Sequence, residues 1–308
     1  MKKIKVVITG GLGFIFSHVT EFFVKKGYEV VVIDNCQAGS HPEIVDGSFK
    51  HIKKDFAAPD AWRLIVREKP DWIIHAASIT DVDTSILEPE QVMVNNVMCN
   101  INAFHAARQL PHLKKMLYVN TDEVYGECEY RKTENDILFP RNPYSCSKAT
   151  GSLMRYAYDS TYSSMLDKTA EIRMCNIFGP RQDVRKIMPQ IIKSIRTGYS
   201  IPLHFGGEGY REYLYVKNVP QIVEKIMLSK KGARTYNITT NTGFTVKELF
   251  RTVEHLTGKK VSSHDGNRPG HDRAYRMDNS RILDAFNWKP KYNFDQGMID
   301  YLKHEKVI

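Results

Sequence analysis

Short apolar runs alternate with amphipathic stretches through the first half of the chain. "KIKVVITG" is rich in β-branched residues and leads into a glycine turn, after which "SHVTEFFVKKG" has the spacing of an amphipathic helix. "YEVVVID" reads as a second strand and "SFKHIKKD" as a third, with rough alternation. "DAWRLIVREK" has helical spacing and ends before Pro70, and "DWIIHAAS" is a fourth strand. "EPEQVMVNNVMCNINAFHAARQL" is a long helix with acids in its first turn, followed by a fifth strand, "KKMLYVN". Helix "YSCSKATGSLMRYAYDSTY" and strand "TAEIRM" continue the rhythm. Strands separated by helices need right-handed crossovers, which predicts an α/β fold with a Rossmann-type, doubly wound parallel sheet.

Past residue 176 the rhythm breaks. "NIFGPRQ", "HFGGEGYRE", "TTNTGF" and "DGNRPGHDR" are loop-rich, with short helices such as "VKELFRTVEHLTG" between them. Two units are therefore expected: a dinucleotide-binding domain over 1–175, and a smaller lobe, mainly 176–308, closing over the strand ends. A strand or helix of that lobe has room to return to the first domain.

"TGGLGFIFSH" (9–18) follows the first strand and opens a helix. Glycines there allow a tight turn and close approach of a pyrophosphate to the helix's positive end. Asp34 ends the second strand, where its carboxylate can accept both ribose hydroxyls of adenosine and repel a 2′-phosphate, favouring NAD over NADP. Phe16 stands where a third glycine is expected for close helix–strand packing.

"PYSCSK" sets Tyr144 and Lys148 four apart on one helix face. A nearby ammonium is expected to lower the tyrosine's pKa, making it a base for a sugar hydroxyl. "NTDEVYG" adds two adjacent acids, Asp122 and Glu123. Neighbouring side chains of a regular strand point to opposite faces, so both acids serve one pocket only if the backbone leaves strand geometry near Thr121–Asp122.

Composition changes this picture little. At 308 residues, 42% apolar and 26% charged, the chain can bury a core, and no apolar run approaches the ~18 residues of a membrane span. The N-terminus has no secretory h-region, and a cytoplasmic protein is expected. Five cysteines lie far apart without a CxxC pair and eleven histidines are scattered, so neither disulfides nor a metal site is expected. A formal charge of +9 suits a nucleic-acid binder or a protein that attracts small polyanions such as nucleotides.

"TGGLGFI", "IIHAAS", "VNNV", "TDEVYG", "PYSCSKA", "NIFGPRQ", "YREYLYV" and "RPGHDRAY" together resemble the extended short-chain dehydrogenase/reductase family over nearly the whole chain. Within it the likeness is greatest to the dTDP-glucose 4,6-dehydratases, with "TDEVYG" and "RPGHDR" the specific tokens. The resemblance implies a nucleotide-sugar 4,6-dehydratase in which Thr121 bonds the sugar O4 beside Tyr144 and Lys148. Glu123 would remove the C5 proton as base, and Asp122 would protonate the departing C6 hydroxyl. It implies that NAD is held by Gly10, Gly13, Phe14, Ile15, Asp34, Asn35, Asp55, Phe56, Ala76, Ala77, Ser78 and Asn95, with Tyr144 and Lys148. Thr80, Asn176, Lys186, Arg211, Arg268 and His271 would meet the nucleotide-diphosphate sugar. A homodimer joined through the long helix after Glu88 and the helix of Tyr144 is also implied, with no nucleic-acid or membrane partner.

Asn120 replaces the family's usual Ser, "SITDVDTSI" its "SHVDRSI", and His204–Phe205 its usual aromatic–glycine pattern. "NCQAGSHPE" after Asp34 is also unlike the dehydratase segment. These departures leave dTDP-glucose, UDP-glucose and UDP-N-acetylglucosamine open as substrates, with or without inversion at C5. A 4-epimerase or decarboxylase shares Tyr144 and Lys148 but has no work for Asp122. An NAD-sensing regulator or an RNA-binding protein on this fold needs neither.

Overall fold

The apolar runs of the first half are continuous because both faces of the sheet they form are covered. The computed structural model describes residues 3–37, 39–230, 234–266 and 272–308. In chain order the first half holds β1 (Lys5–Thr9), α1 (Phe14–Lys25), β2 (Glu29–Asp34), β3 (Lys50–Lys53), α2 (Trp62–Glu68), β4 (Trp72–His75), α3 (Val82–Leu87), α4 (Pro89–Arg108), β5 (Lys115–Thr121), α5 (Pro143–Thr161) and β6 (Thr169–Met174). The second half adds β7 (Asn176–Phe178), α6 (Ile187–Thr197), β8 (Ile201–His204), β9 (Tyr210–Tyr215), α7 (Val219–Leu228), β10 (Thr235–Ile238), β11 (Gly243–Thr245), α8 (Val246–Thr257), β12 (Ser263–Gly266), α9 (Ser280–Phe286) and α10 (Phe294–His304).

Seven strands form one parallel sheet in the order β10-β6-β5-β4-β1-β2-β3. The chain reverses direction across the sheet between β1 and β4, the crevice where open α/β sheets bind ligands. Alternate residues feed two cores. Val6, Ile8, Val30, Val32, Ile74 and Leu117 face the cluster that continues into the second half through Met188, Ile222 and Phe294. Val7, Val31, Ile33, Ile73, Met116 and Tyr118 face α2 and α4, where Cys99, Ala103 and Phe104 pack. The second half is not wholly separate, since β10 pairs in parallel with β6 and completes the main sheet. Its remaining strands form a three-stranded sheet, β11-β9-β7, and a two-stranded pair, β12-β8.

The glycine turn resolves the problem posed by Phe16. That side chain is buried in the sheet-facing core, so α1 does not need a glycine there. Close approach is made at Gly11 instead, where an added Cβ would lie 2.9 Å from a Val32 methyl and 3.0 Å from Thr20 Oγ1. Thr20 Oγ1 also donates to the Gly11 carbonyl (2.9 Å), tying the turn to the helix one turn later.

Gly11→Ala is therefore expected to destabilise the protein by ~1–3 kcal/mol through overpacking, measured by urea unfolding. An unchanged midpoint would show that Val32 and α1 yield freely.

Candidate active site

Strand β5 delivers the two acids. Thr121 is still extended (φ −126°, ψ 156°), but Asp122–Tyr125 form a 3₁₀ turn that ends at Gly126 (φ 71°). The departure from strand geometry lets both neighbouring carboxylates act on one residue, since the charges of each reach Tyr144. Thr121 Oγ1 accepts from the Glu123 amide (3.3 Å) and donates to Asp122 Oδ1 (3.1 Å), so one hydroxyl caps the turn and orients the first acid.

The two acids meet different surroundings. Asp122 is buried, 4% exposed, while Glu123 is half-buried and accepts from Asn142 Nδ2 at 3.0 Å. Burial and, next, the neighbouring Glu123 push the Asp122 carboxyl up to about 8, against the opposing pull of Arg211. At neutral pH Asp122 is thus chiefly a carboxylic acid, able to donate a proton.

Tyr144 and Lys148 lie on the buried face of α5. Asn142 caps that helix and Pro143 occupies its first position, so the fixed proline φ starts the helix one residue before the tyrosine. Thr121 bonds the Tyr144 hydroxyl, which joins the tyrosine to the acid turn. The expected lowering of its pKa is corrected. Burial first, then the charges of Glu123 and Asp122, hold the phenol well above its ordinary value. The Lys148 ammonium sits 4.8 Å from the centre of the Tyr118 ring, and burial pulls it down to about 8. In this state the phenol is a proton donor, and the lysine's charge does not offset the two acids.

The dinucleotide residues gather at the sheet's C-terminal edge, across the β1/β4 reversal. Gly10 (φ 69°) passes so close to the end of β4 that an added Cβ would lie 2.7 Å from Ala77 Cα and N. Gly13 precedes α1 and offers no side-chain cap, and the first turn, with Phe14 and Ile15, contains no acid. The amides of that turn are left for an anionic ligand. Asp34 accepts from the Leu12 amide (3.0 Å), the Cys36 amide (2.9 Å) and Ser40 Oγ (3.0 Å), which fixes its carboxylate beside the turn. The uncapped helix end and oriented carboxylate suit a dinucleotide's pyrophosphate and ribose.

Other expected cofactor residues are more varied. Ala76 and Ala77 bond Thr9 through their amides (3.1 and 3.4 Å), and Ser78 Oγ donates to Ala76 O (3.5 Å). Asn35 Oδ1 accepts from the Gln37 amide and exposed Asp55 from the Ala57 amide. Phe56 is buried in the α2–α4 core. Asn95 donates to Asn96, and Asn96 rather than Asn95 makes the structural link. It bonds both backbone groups of Ile79 (2.7 and 3.0 Å) and Ser147 Oγ (2.8 Å), joining the loop after β4 to α4 and α5. The tandem asparagines of "VNNV" marked the place without saying which one turned inward.

Of the expected substrate residues, Thr80 is exposed, Asn176 begins β7 and Lys186 is the N-cap of α6. Arg211 stacks 4.4 Å over the Tyr275 ring and donates to the carbonyls of Tyr210 and Asp272 (2.8 Å each). Its charge acts on Asp122, bringing the second half of the chain against the acid turn. Arg268 and His271 lie outside the described residues. Tyr275, buried and donating to Asp272 Oδ2 at 2.5 Å, lies near enough for Glu123 to raise its phenol. Sequence reasoning did not single out Tyr275 or Asn142, though "NPYS" carries a legible cap-and-proline signal for the latter. Among the described residues no group of three His, Cys, Asp or Glu could hold a metal ion.

The fold and this constellation define an extended short-chain dehydrogenase/reductase of the nucleotide-sugar dehydratase and epimerase group. More particularly, the chain belongs to the GDP-mannose 4,6 dehydratase family, whose model matches residues 7–301. It is 30% identical over 308 residues to an Arabidopsis thaliana trifunctional UDP-glucose 4,6-dehydratase/UDP-4-keto-6-deoxy-D-glucose 3,5-epimerase/UDP-4-keto-L-rhamnose-reductase. That match covers 95% of this chain but only 46% of the relative, so the chain spans about half its length. Among solved structures, the Thermus thermophilus UDP-glucose 4-epimerase complexed with NAD superposes with a TM-score of 0.90 at 27% identity, covering 98% and 99% of the two chains. The dTDP-glucose 4,6-dehydratase DesIV of Streptomyces venezuelae, also with NAD bound, gives 0.90 at 26%, covering 98% and 97%.

The raised Asp122 pKa carries a stability consequence. The folded chain keeps a proton that the unfolded chain releases above 3.8, so ionisation of this group costs stability as pH rises toward about 8. Asp122→Asn is expected to be more stable than the parent at pH 8, by roughly 5 kcal/mol, and so to melt at a higher temperature. The difference should vanish below about pH 3.8. Equal melting at both pH values would place Asp122 in contact with water.

Proposed function

We propose that this protein is an NAD-dependent 4,6-dehydratase of a nucleotide-diphosphate hexose: dTDP-glucose, UDP-glucose or UDP-N-acetylglucosamine. The product would be the 4-keto-6-deoxyhexose. One observation carries the choice. Asp122 is buried beside Glu123, burial and that neighbour push its carboxyl up to about 8, and the charges of both acids reach Tyr144. A 4-epimerase shares the overall fold and the tyrosine, but needs no buried proton donor next to a second carboxylate.

NAD, when bound, supplies a positively charged ring that takes hydride from the sugar and gives it back. Thr121 orients the sugar O4. Burial and the two acids hold Tyr144 as a neutral phenol, so it must first lose its own proton, a loss that the positive ring of bound NAD and the Lys148 ammonium would favour. As a phenolate it would then receive the O4 proton as C4 becomes a ketone. The ketone acidifies the C5 proton, which Glu123 removes. Asp122, already protonated, gives its proton to the C6 hydroxyl, which departs as water. Such acid–base help is typically worth ~10²–10⁴-fold each. The proton then returns to C5, on a face that decides retention or inversion. Lys148, on the tyrosine's helix face, adds positive charge on that side of the site. Arg211, Asn176 and Lys186 would meet the nucleotide diphosphate.

A homodimer is part of the same proposal. Helix α4 leaves Val94 58% and Ile101 38% exposed, and α5 leaves Leu153 61% exposed, giving adjacent apolar faces for a second copy. Ile101→Glu with Leu153→Glu is expected to yield a monomer by light scattering; a parent protein that is itself monomeric would contradict the dimer.

Asp122→Asn with Glu123→Gln is expected to retain NAD binding while product formation falls by at least ~10²-fold. The assay is incubation with UDP- and dTDP-sugars and detection by mass of a product lighter by one water. Undiminished product, or a parent product of unchanged mass, would refute the dehydratase reading and favour an epimerase.

A further inference from the structure

We propose that Asn142 is a positioning residue that gives Glu123, rather than Asp122, the role of base. This rests on the dehydratase reading above. Asn142 is 8% exposed and has two tasks that its single amide divides between its ends. Its Oδ1 accepts from the Ser145 amide at 2.8 Å, and its own backbone N–H donates to Ser145 Oγ at 3.2 Å, closing the capping box of α5. Because the oxygen is committed to the helix, the NH₂ end must face the other way, and there it donates to Glu123 Oε2 at 3.0 Å.

Three consequences follow from that one amide. An N–H donates to a carboxylate oxygen but cannot accept a carboxyl proton, so the partner suits Glu123 in its basic form. One oxygen is held, which leaves the other for the C5 proton. The cap also lies two residues before Tyr144, so the group that takes the O4 proton and the group that takes the C5 proton are registered on a common support. Asp122 takes a different partner, the Thr121 hydroxyl at 3.1 Å. A hydroxyl, unlike an amide N–H, can either donate or accept, and therefore tolerates the protonated acid.

The test uses the NAD-loaded enzyme in single turnover in heavy water. It reads C4 oxidation, trapped as ketone with borodeuteride, separately from solvent deuterium entering C5. Asn142→Ser keeps an N-cap hydroxyl but cannot offer the amide donor. It is expected to leave C4 oxidation within about twofold and to slow C5 deprotonation ~10–100-fold, the usual cost of a misplaced group. Asn142→Asp, also a good cap, sets a like charge against Glu123 and should slow it further; it carries the comparison if the serine variant does not fold. In a Glu123→Gln background, Asn142→Ser should change neither rate, because its effect passes through Glu123.

Equal slowing of both steps would make Asn142 only a helix cap and overturn the proposal. So would an unchanged Asn142→Ser, or an undiminished effect in the Glu123→Gln background. If Glu123→Gln itself keeps full C5 exchange, or the parent makes no dehydrated product, the dehydratase reading fails instead, and the role of Asn142 with it.

Discussion

Two carboxylates on consecutive residues can share a dry pocket only if they do not both carry charge. Their repulsion grows as water leaves, and so does the cost of burying either one ionised. Here the conflict is resolved by unequal burial. Asp122 is fully enclosed and keeps its proton, whereas Glu123 is half-exposed and has an amide donor. The difference in surroundings, produced by a single 3₁₀ turn, is what would separate proton donor from proton acceptor in the proposed reaction.

That turn is held from below by a buried polar network. Tyr125, the last residue of the turn, receives a hydrogen bond from Arg173 (2.7 Å) and donates to Asn237 on β10 (2.8 Å). Arg173 pairs with Glu171 at 2.8 Å, both almost fully buried. Glu171 Oε1 in turn accepts from Ser152 (2.6 Å) and Asn120 (2.9 Å). Asn120 completes the circuit by accepting from the Thr121 amide through Oδ1 (2.9 Å). A buried pair of this kind is weak evidence for net stability, yet removing one partner strands the other charge. Its value here is geometric, because it fixes both ends of the acid turn to the sheet. Asn120, which departs from the family's usual serine, has an amide long enough to reach Glu171 while its oxygen stays with the backbone.

Much of the framework was legible because each strand pays no heed to face: with both sides buried, apolar runs stand out and the intervening helices keep their period. Tyr144, Lys148, Asp122, Glu123 and the Gly10–Asp34 pair could all be located by spacing and likeness. Their electrostatics could not. The expectation that Lys148 would lower Tyr144 came from proximity on one helix, but burial and the two acids dominate, and these are tertiary facts. Phe16 looked like a fault in the glycine turn because the compensating contact, Gly11 against Val32, is made across the whole of α1. Asn96 and Asn142 act through partners 17 to 51 and 19 residues away, which no local pattern reveals. The short strands after residue 176 are brought together by long-range pairing, such as β7 with β9, and their sequence shows little periodicity.

The most direct measurement of the central claim is the protonation of Asp122 itself, read as the infrared difference between the parent protein and Asp122→Asn across a pH titration. A carboxylic C=O band assigned to Asp122 should be present at pH 7 and disappear with a midpoint near 8. A carboxylate band already complete at pH 5 would mean that the two acids are not differentiated by the fold, and would contradict the assignment of donor and acceptor.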